Sequence, residues 1–249
     1  MRIGEYDVLE RVGEGATGVV YRAEGDVAIK VLRNTDPVVA KRFAREARLA
    51  REIESRHLVR ILDVGDRFFV MPYYERGALA AAVPLSVAEL VRVAAEIAQA
   101  LDALHAAGIV HRDVKPSNVL LGDDGAVLAD FGLARGVDST QLTHDGQLLG
   151  TTHYLAPELI EGAVATPASD IYAFACLLYE AVTGAPPFAG RNEAEIGYAH
   201  LVEEPSRPNL PGELPDAILL GLAKDPRDRP TSATALHRML RAANRPSPC

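Results

Sequence analysis

The sequence predicts a two-lobed α+β protein: a small β-rich lobe over residues 1–74 with one main helix, then a larger, mostly helical lobe over residues 75–244. Two observations predict it. Short β-rich runs separated by turn residues fill the first seventy or so positions, and long helical periodicities replace them after Tyr74. A third observation is consistent with both: 48% hydrophobic and 24% charged residues over a length of 249 suit a globular chain with a sizeable core.

In order, Val8–Val12, Val19–Ala23 and Val27–Leu32 read as strands, the last two joined by the turn Glu24-Gly25-Asp26. A helix follows, with Val39, Phe43, Glu46, Ala50 and Ile53 spaced 4, 3, 4 and 3 along one stripe. Leu58–Val64 and Phe68–Tyr73 complete the small sheet. Beyond it, Ser86 and Glu89 form a capping box, in which the two side chains satisfy free backbone donors at a helix start. Leu90, Ala94, Ile97, Leu101 and Leu104 make the buried stripe of that helix, and Gly108 stops it. Asp170–Thr183 is apolar almost all round, as expected of a helix at the centre of a domain. Residues 245–249 read as a frayed tail.

Charge and cysteine usage exclude several functions. With 34 acidic against 26 basic side chains the formal charge is −8, which argues against a nucleic-acid binder held by bulk electrostatics. Two cysteines, Cys176 and Cys249, make neither a disulfide framework nor a four-ligand zinc set, so a reducing compartment is expected. No apolar signal segment opens the chain, and the longest apolar run, the nine residues Ile171–Tyr179, is under half of the ~20 that a membrane helix needs. The expectation is a cytoplasmic chain, either soluble or the cytosolic domain of a longer one. Lysine is scarce, at positions 30, 41, 115 and 224 only.

Gly13-Glu14-Gly15-Ala-Thr-Gly18-Val-Val20 lies between two strands rather than before a helix, which argues against a dinucleotide site. Such glycines let a hairpin close over phosphates with its N–H groups towards anionic oxygens, although an ordinary Gly-rich turn would read the same. Lys30 ends the apolar strand Val27-Ala28-Ile29, where its charge needs an anionic partner, and Glu46 on the helical stripe is the candidate. His111-Arg112-Asp113-Val-Lys115-Pro-Ser-Asn118 precedes Asp130-Phe131-Gly132 by a short span of strand fragments. Asp113, Asn118 and Asp130 then offer hard oxygen ligands or a proton acceptor, and Lys115 a point charge where negative charge develops.

With these motifs in order, followed by Ala156-Pro157-Glu158, Asp170 and Arg229, the sequence resembles the protein kinase family through nearly its whole length. The resemblance implies a protein kinase fold, ATP as cosubstrate and Mg²⁺ as cofactor, with Mn²⁺ as the alternative metal. Lys30 would hold the α- and β-phosphates with Glu46 as its anchor. Asn118 and Asp130 would hold the metal. Asp113 would accept the proton of the substrate hydroxyl, with Lys115 near the γ-phosphate.

Val12, Gly13, Glu14, Gly15 and Gly18 would cover the nucleotide, and Val20, Ala28 and Leu120 would sandwich the adenine. Met71-Pro72-Tyr73-Tyr74 would form the hinge, in which Pro72 keeps its carbonyl and Tyr74 its N–H. Glu158 and Arg229 would pair under the substrate-binding segment, and Asp170 would be the central-helix aspartate. His111 and Phe131 would join the internal hydrophobic stack.

Lys115 in DVKPSN and Thr151 in GTTHYLAPE resemble serine/threonine rather than tyrosine kinases, most closely the bacterial branch. A protein substrate with a Ser or Thr hydroxyl is the implied partner, and oligomeric state stays open. Of the loop hydroxyls Ser139, Thr140 and Thr143, autophosphorylation is expected at Thr143, then Thr140, with Arg112 and, beside it, Arg135 receiving the phosphate. A pseudokinase or docking module is the main alternative, opposed by intact Lys30, Asp113, Asn118 and Asp130. A small-molecule phosphotransferase would lack the Ala156-Pro157-Glu158 segment with its Asp170 and Arg229 partners.

Overall fold

The computed structural model describes residues 1–15, 18–130 and 152–244. Strands β1 (Arg2–Ile3), β2 (Tyr6–Glu14), β3 (Gly18–Ala23), β4 (Val27–Leu32), β5 (Asp63–Val64) and β6 (Phe68–Pro72) form one sheet in the order β1-β2-β3-β4-β6-β5, every neighbouring pair antiparallel. The β3–β4 turn is tight because Gly25 and Asp26 both take positive φ, at 83° and 54°. Its register sets Val20 opposite Lys30, and the next ladder sets Ala28 opposite Met71, so residues expected around a nucleotide fall on adjacent strands. Gly18 is required by close approach: a Cβ there would stand 2.2 Å from the Val31 carbonyl oxygen.

Helix α1 (Pro37–Arg51) starts where Asp36 accepts from Val38 N–H, with Pro37 preset for the first turn. It buries Ala40, Phe43, Ala44, Ala47 and Ala50, so of the expected stripe Phe43 and Ala50 are buried, while Val39 and Glu46 lie half-buried at its edge. The small side chains let the helix sit close to the sheet, where Phe43 stacks on Phe69 with ring centroids 5.6 Å apart. A carboxylate in the middle of that contact would be desolvated without a partner, so the helix is turned with Glu46 at the edge of its buried face. Ile53 lies beyond the helix end.

The expected strand Leu58–Val64 is a second difference, because only its end joins the sheet: Leu62 N–H donates to Val70 O at 2.7 Å, and Asp63 and Val64 pair with β6. Leu58, Val59 and Ile61 are buried all the same. The backbone around Leu58 turns to the other lobe instead: Val59 N–H donates to Leu128 O and Leu128 N–H to His57 O, at 2.9 and 2.8 Å. His57 adds a ring contact to Ala126 O at 3.0 Å. A buried run can satisfy its donors across a domain seam as well as in a sheet, and periodicity does not distinguish the two.

Helix α2 (Val87–Ala106) begins at the Ser86/Glu89 capping box, and its predicted stripe is fully buried. Gly108, at φ 74°, ends it. The hairpin β7 (Val119–Gly122) and β8 (Gly125–Leu128) packs beside α2, where Glu96 accepts from Ala126 N–H at 2.7 Å. A short helix α3 (Pro157–Ile160) leads to α4 (Pro167–Thr183), which is buried through Asp170–Tyr179 as its composition predicts. Of helices α5 (Glu193–Val202), α6 (Leu214–Gly221) and α7 (Ala233–Ala243), α6 packs on α4, α5 is joined to it by the Tyr172–His200 hydrogen bond, and α7 packs on α2 and α6. Asp102 of α2 caps α7, accepting from Ala233 and Thr234 N–H.

Candidate active site

Two non-glycine residues with positive φ mark the loops between the lobes: Arg112 at 65° and Asp130 at 62°. Side chains rarely adopt this conformation, so surrounding bonds must hold it. For Arg112 the holder is Asp170, which is 1% exposed near the start of α4. Its Oδ1 accepts from Arg112 N–H at 2.8 Å and its Oδ2 from His111 N–H at 2.7 Å. His105 of α2 contacts the same Oδ2 through Nε2 at 2.8 Å. Asp170 thus joins α2, α4 and the loop at one carboxylate.

His111 completes the frame from within. Asp113 N–H donates to its Nδ1 at 3.2 Å, which leaves Nε2 as the protonated nitrogen donating to Ala129 O at 3.0 Å. Burial pushes its pKa below the ordinary histidine value, against the charges of Asp170, Asp113 and Asp130. A neutral ring suits both bonds.

On this frame Asp113 is held from two sides. Asn118, placed by the 3₁₀ turn Pro116–Asn118, donates from Nδ2 to the Asp113 carbonyl at 2.7 Å and to its Oδ2 at 2.9 Å. Lys115 Nζ lies 3.0 Å from the same Oδ2. These bonds turn the Asn118 amide nitrogen towards Asp113 and leave its Oδ1 as the oxygen available to a hard cation. Ala129 N–H donates to Asn118 O, so the residue before Asp130 is tied to this loop.

Lys30 Nζ pairs with Asp130 Oδ2 at 2.6 Å. The expected Lys30–Glu46 pair is not made in this structure. Glu46 Oε2 is buried without a hydrogen-bond partner among the described residues, and its position at the edge of the α1 face is the reason. Burial pushes the Glu46 carboxyl above its ordinary value, with the charges of Arg42, Arg112 and Arg45 opposing.

A carboxyl whose pKa is raised by folding favours the folded state below its ordinary value of about 4.5 and loses that advantage as pH rises through the raised value. Glu46→Gln therefore melts at or above the wild-type temperature near pH 8, with the gap closing towards about pH 4. Melting curves across pH check this, and a lower melting temperature near pH 8 would contradict it.

Beneath the loop, Glu158 of α3 and Arg229 form a bidentate pair, both contacts at 2.8 Å. Arg229 is 4% exposed, stacks over Tyr172 at 4.8 Å, and donates to three carbonyls, of Ala168, Ala223 and Lys224. Burial would raise the Glu158 pKa, but Arg229 and the Ser169 hydroxyl outweigh it and hold the carboxyl below its ordinary value. Tyr154 donates to Glu180 of α4 and anchors the turn before α3.

The structure therefore brings together Lys30 with Asp130, Asp113 with Lys115 and Asn118, and Glu158 with Arg229. Gly13, Glu14, Gly15 and Gly18 lie on the β2–β3 hairpin, whose ends meet where Gly15 N–H donates to Gly18 O at 2.9 Å, and Val12 is exposed beside them. Val20, Leu120, Tyr74 and the buried Met71 and Ala28 pack in the main core cluster, and β6 ends at Pro72. Tyr73 N–H is taken by Asp26 O at 2.8 Å. Thr140, Thr143 and Thr151, with Phe131, Arg135 and Ser139, lie outside the described residues.

Sequence reasoning missed His105 as a third partner of Asp170, Ser169 on Glu158, and the Tyr154–Glu180 bond. Each joins positions far apart in sequence, and no local spacing marks them.

The protein kinase domain family matches residues 6–240. The serine/threonine-protein kinase PknE of Mycobacterium tuberculosis is 40% identical over 250 residues, covering 92% of this chain and 44% of PknE. PknH of the same species is 38% identical over 252 residues, covering 92% and 40%. The chain thus spans less than half the length of these curated relatives. The fold, the order of the site residues and these matches agree, and the chain belongs to the protein kinase domain family, in its bacterial serine/threonine branch.

Proposed function

We propose that the chain transfers the γ-phosphoryl group of ATP to serine or threonine hydroxyls of proteins, itself included. The observation that carries this reading is the Asp113 carboxylate, held by Asn118 and Lys115 on a loop whose strained backbone is fixed by Asp170.

In the proposed reaction Asp113 orients the substrate hydroxyl and accepts its proton, while Lys115 faces the charge that develops on the transferring group. Lys30 positions the phosphates and the glycine-rich hairpin covers them. The hinge takes the adenine through Pro72 O and Tyr74 N–H, and no described backbone carbonyl accepts from Tyr74 N–H. Asn118 Oδ1 and the Asp130 carboxylate are hard oxygen donors that would hold Mg²⁺, which would supply positive charge against the phosphates. With Asp130 turned to such an ion, Glu46 would be the anion left to pair with Lys30. The lobes divide at Tyr74.

A mixture of peptides bearing Ser, Thr or Tyr, incubated with Mg²⁺ and γ-labelled ATP, tests the hydroxyl class. Label is expected on Ser and Thr peptides only, and is expected to fall to background with Lys30→Met. Label confined to Tyr, or normal kinetics with Lys30→Met, would contradict the reading.

Activation is proposed through phosphorylation at Thr143, with Thr140 second. A phosphothreonine brings about −1.5 to −2 charges and three acceptor oxygens, suited to Arg112 and Arg135. After phosphatase treatment, the double variant Thr140→Ala/Thr143→Ala is expected to recover activity more slowly than wild type when ATP is restored. Recovery at the wild-type rate would remove the switch. The reduced, buried Cys176 fits a cytoplasmic setting. No helix among the described residues is long and apolar enough to cross a membrane.

A further inference from the structure

On a protein of net charge −8, the outward face of α1 is basic. Lys41, Arg42, Arg45 and Arg48 are all exposed there, opposite the buried alanines. Among the described residues none of the four makes an ion pair. Two bare apolar side chains bracket them, Val38 at 75% and Leu49 at 45% exposure. At 1.5 Å per residue the bracket is about 16 Å long.

Helix α5 shows the complement. Its outward face carries Tyr198 and Val202, 61% and 55% exposed, with Glu193 and Glu195 at one end and Glu203 and Glu204 at the other. Glu193 to Glu203 spans about 15 Å on the same rise. Arg191 offsets one of these charges through Glu195, at 3.5 Å, and Lys224, which donates to the carbonyls of Ala199 and His200, offsets part of the charge of Glu203 and Glu204, so four carboxylates stand against two cations. The face stays negative.

The two faces of one molecule are on different lobes and do not meet. Helix α1 packs on β5 and β6, whereas α5 packs on α3 and the turn Thr152–Tyr154. Only another molecule can bring an α5 face to this α1 face.

We propose that the basic face of α1 docks the acidic face of α5 from a second copy of this chain. Cations on one helix would lie against carboxylates on the other, with Val38 and Leu49 against Tyr198 and Val202. Two helix faces make a small interface, so the association is weak, steered by charge and sensitive to salt. It is also heterologous: each docked pair leaves one α1 face and one α5 face open for further copies.

Sedimentation of the chain tests this with two charge reversals, Arg45→Glu/Arg48→Glu on α1 and Glu203→Arg/Glu204→Arg on α5, with melting curves to show that each is folded. Wild type is expected to rise above monomer mass with concentration at low salt, and to return to monomer near 1 M salt, where screening acts within about 3 Å. Each reversal alone is expected to weaken association roughly tenfold or more. An equimolar mixture of the two is expected to associate again, because each variant then meets a face of opposite charge. Tyr198→Ala, which changes no charge, is expected to weaken it as well. Wild type that stays monomeric at low salt would overturn the proposal. So would a mixture that fails to associate, or an α5 reversal that associates like wild type. Binding of α1 to anionic lipid vesicles by a protein that never self-associates would overturn it in favour of a membrane surface.

Discussion

Replacing Asp113 with asparagine is expected to lower turnover by roughly 10²- to 10⁴-fold, the usual loss when a positioned general base is removed. The substitution keeps the side chain's size and an oxygen able to accept from Asn118 Nδ2, now 2.9 Å from Oδ2. What it removes is the negative charge that faces Lys115 at 3.0 Å and the capacity to take a proton. The backbone of the loop is held by Asp170 rather than by Asp113 itself, so the fold should survive. Steady-state kinetics with a peptide substrate should show the loss in kcat, with little change in the KM for ATP. Near-wild-type turnover in a folded variant would mean that another group accepts the proton.

Arg229→Ala is expected to destabilise the protein by about 3–5 kcal/mol, because it leaves the Glu158 carboxylate partly buried and uncompensated. Three carbonyls lose a donor in the same substitution, and Tyr172 loses the guanidinium over its ring. For a chain of this length the cost corresponds to roughly 6–20 °C in melting temperature. Its pH dependence follows from the direction of the Glu158 shift. A carboxyl whose pKa is lowered by folding stabilises the protein above its ordinary value of about 4.5 and loses that contribution as pH falls through the lowered value. In the variant the lone carboxylate is relieved by protonation, so the gap between the two proteins should narrow in acid. A variant that melts like wild type at neutral pH would show that the pair contributes nothing to stability.

How much of this was legible in the sequence depended on whether a residue's partner lay in the same local pattern. The strand Val27–Leu32, the capping box at Ser86 and Glu89, and the apolar helix around Cys176 follow from periods of 2 and 3.6 and from cap chemistry, and the structure has all three. The run from Leu58 looked like a strand because it is apolar, yet its backbone bonds to Leu128 across the seam between lobes. Helix α1 was legible as a helix and its face in part, since Phe43 and Ala50 of the expected stripe are buried while Val39 and Glu46 lie at the edge. Five buried residues, four of them alanine, decide its face, and alanines carry little weight in a stripe read from large side chains.

The site divides in the same way. Asp113, Asn118 and Lys115 lie within six positions and their contacts follow from the loop they share. Lys30 and Glu46 lie on separate elements, and their expected contact fails because the rotation of α1 sets it. Glu158 and Arg229 were paired only through the resemblance to kinases, since nothing within either segment points to a partner 71 residues away.

The most direct measurement of the central claim is mass spectrometry of the protein itself after incubation with Mg²⁺ and γ-labelled ATP, with wild type and Asp113→Asn side by side. Phosphate on serine or threonine residues of the wild type, and little or none on the variant at the same time point, is the predicted result. An unlabelled wild type that nevertheless binds ATP and neither labels added Ser or Thr peptides would contradict the account and leave a docking module. Equal labelling of the variant would contradict the role given to Asp113.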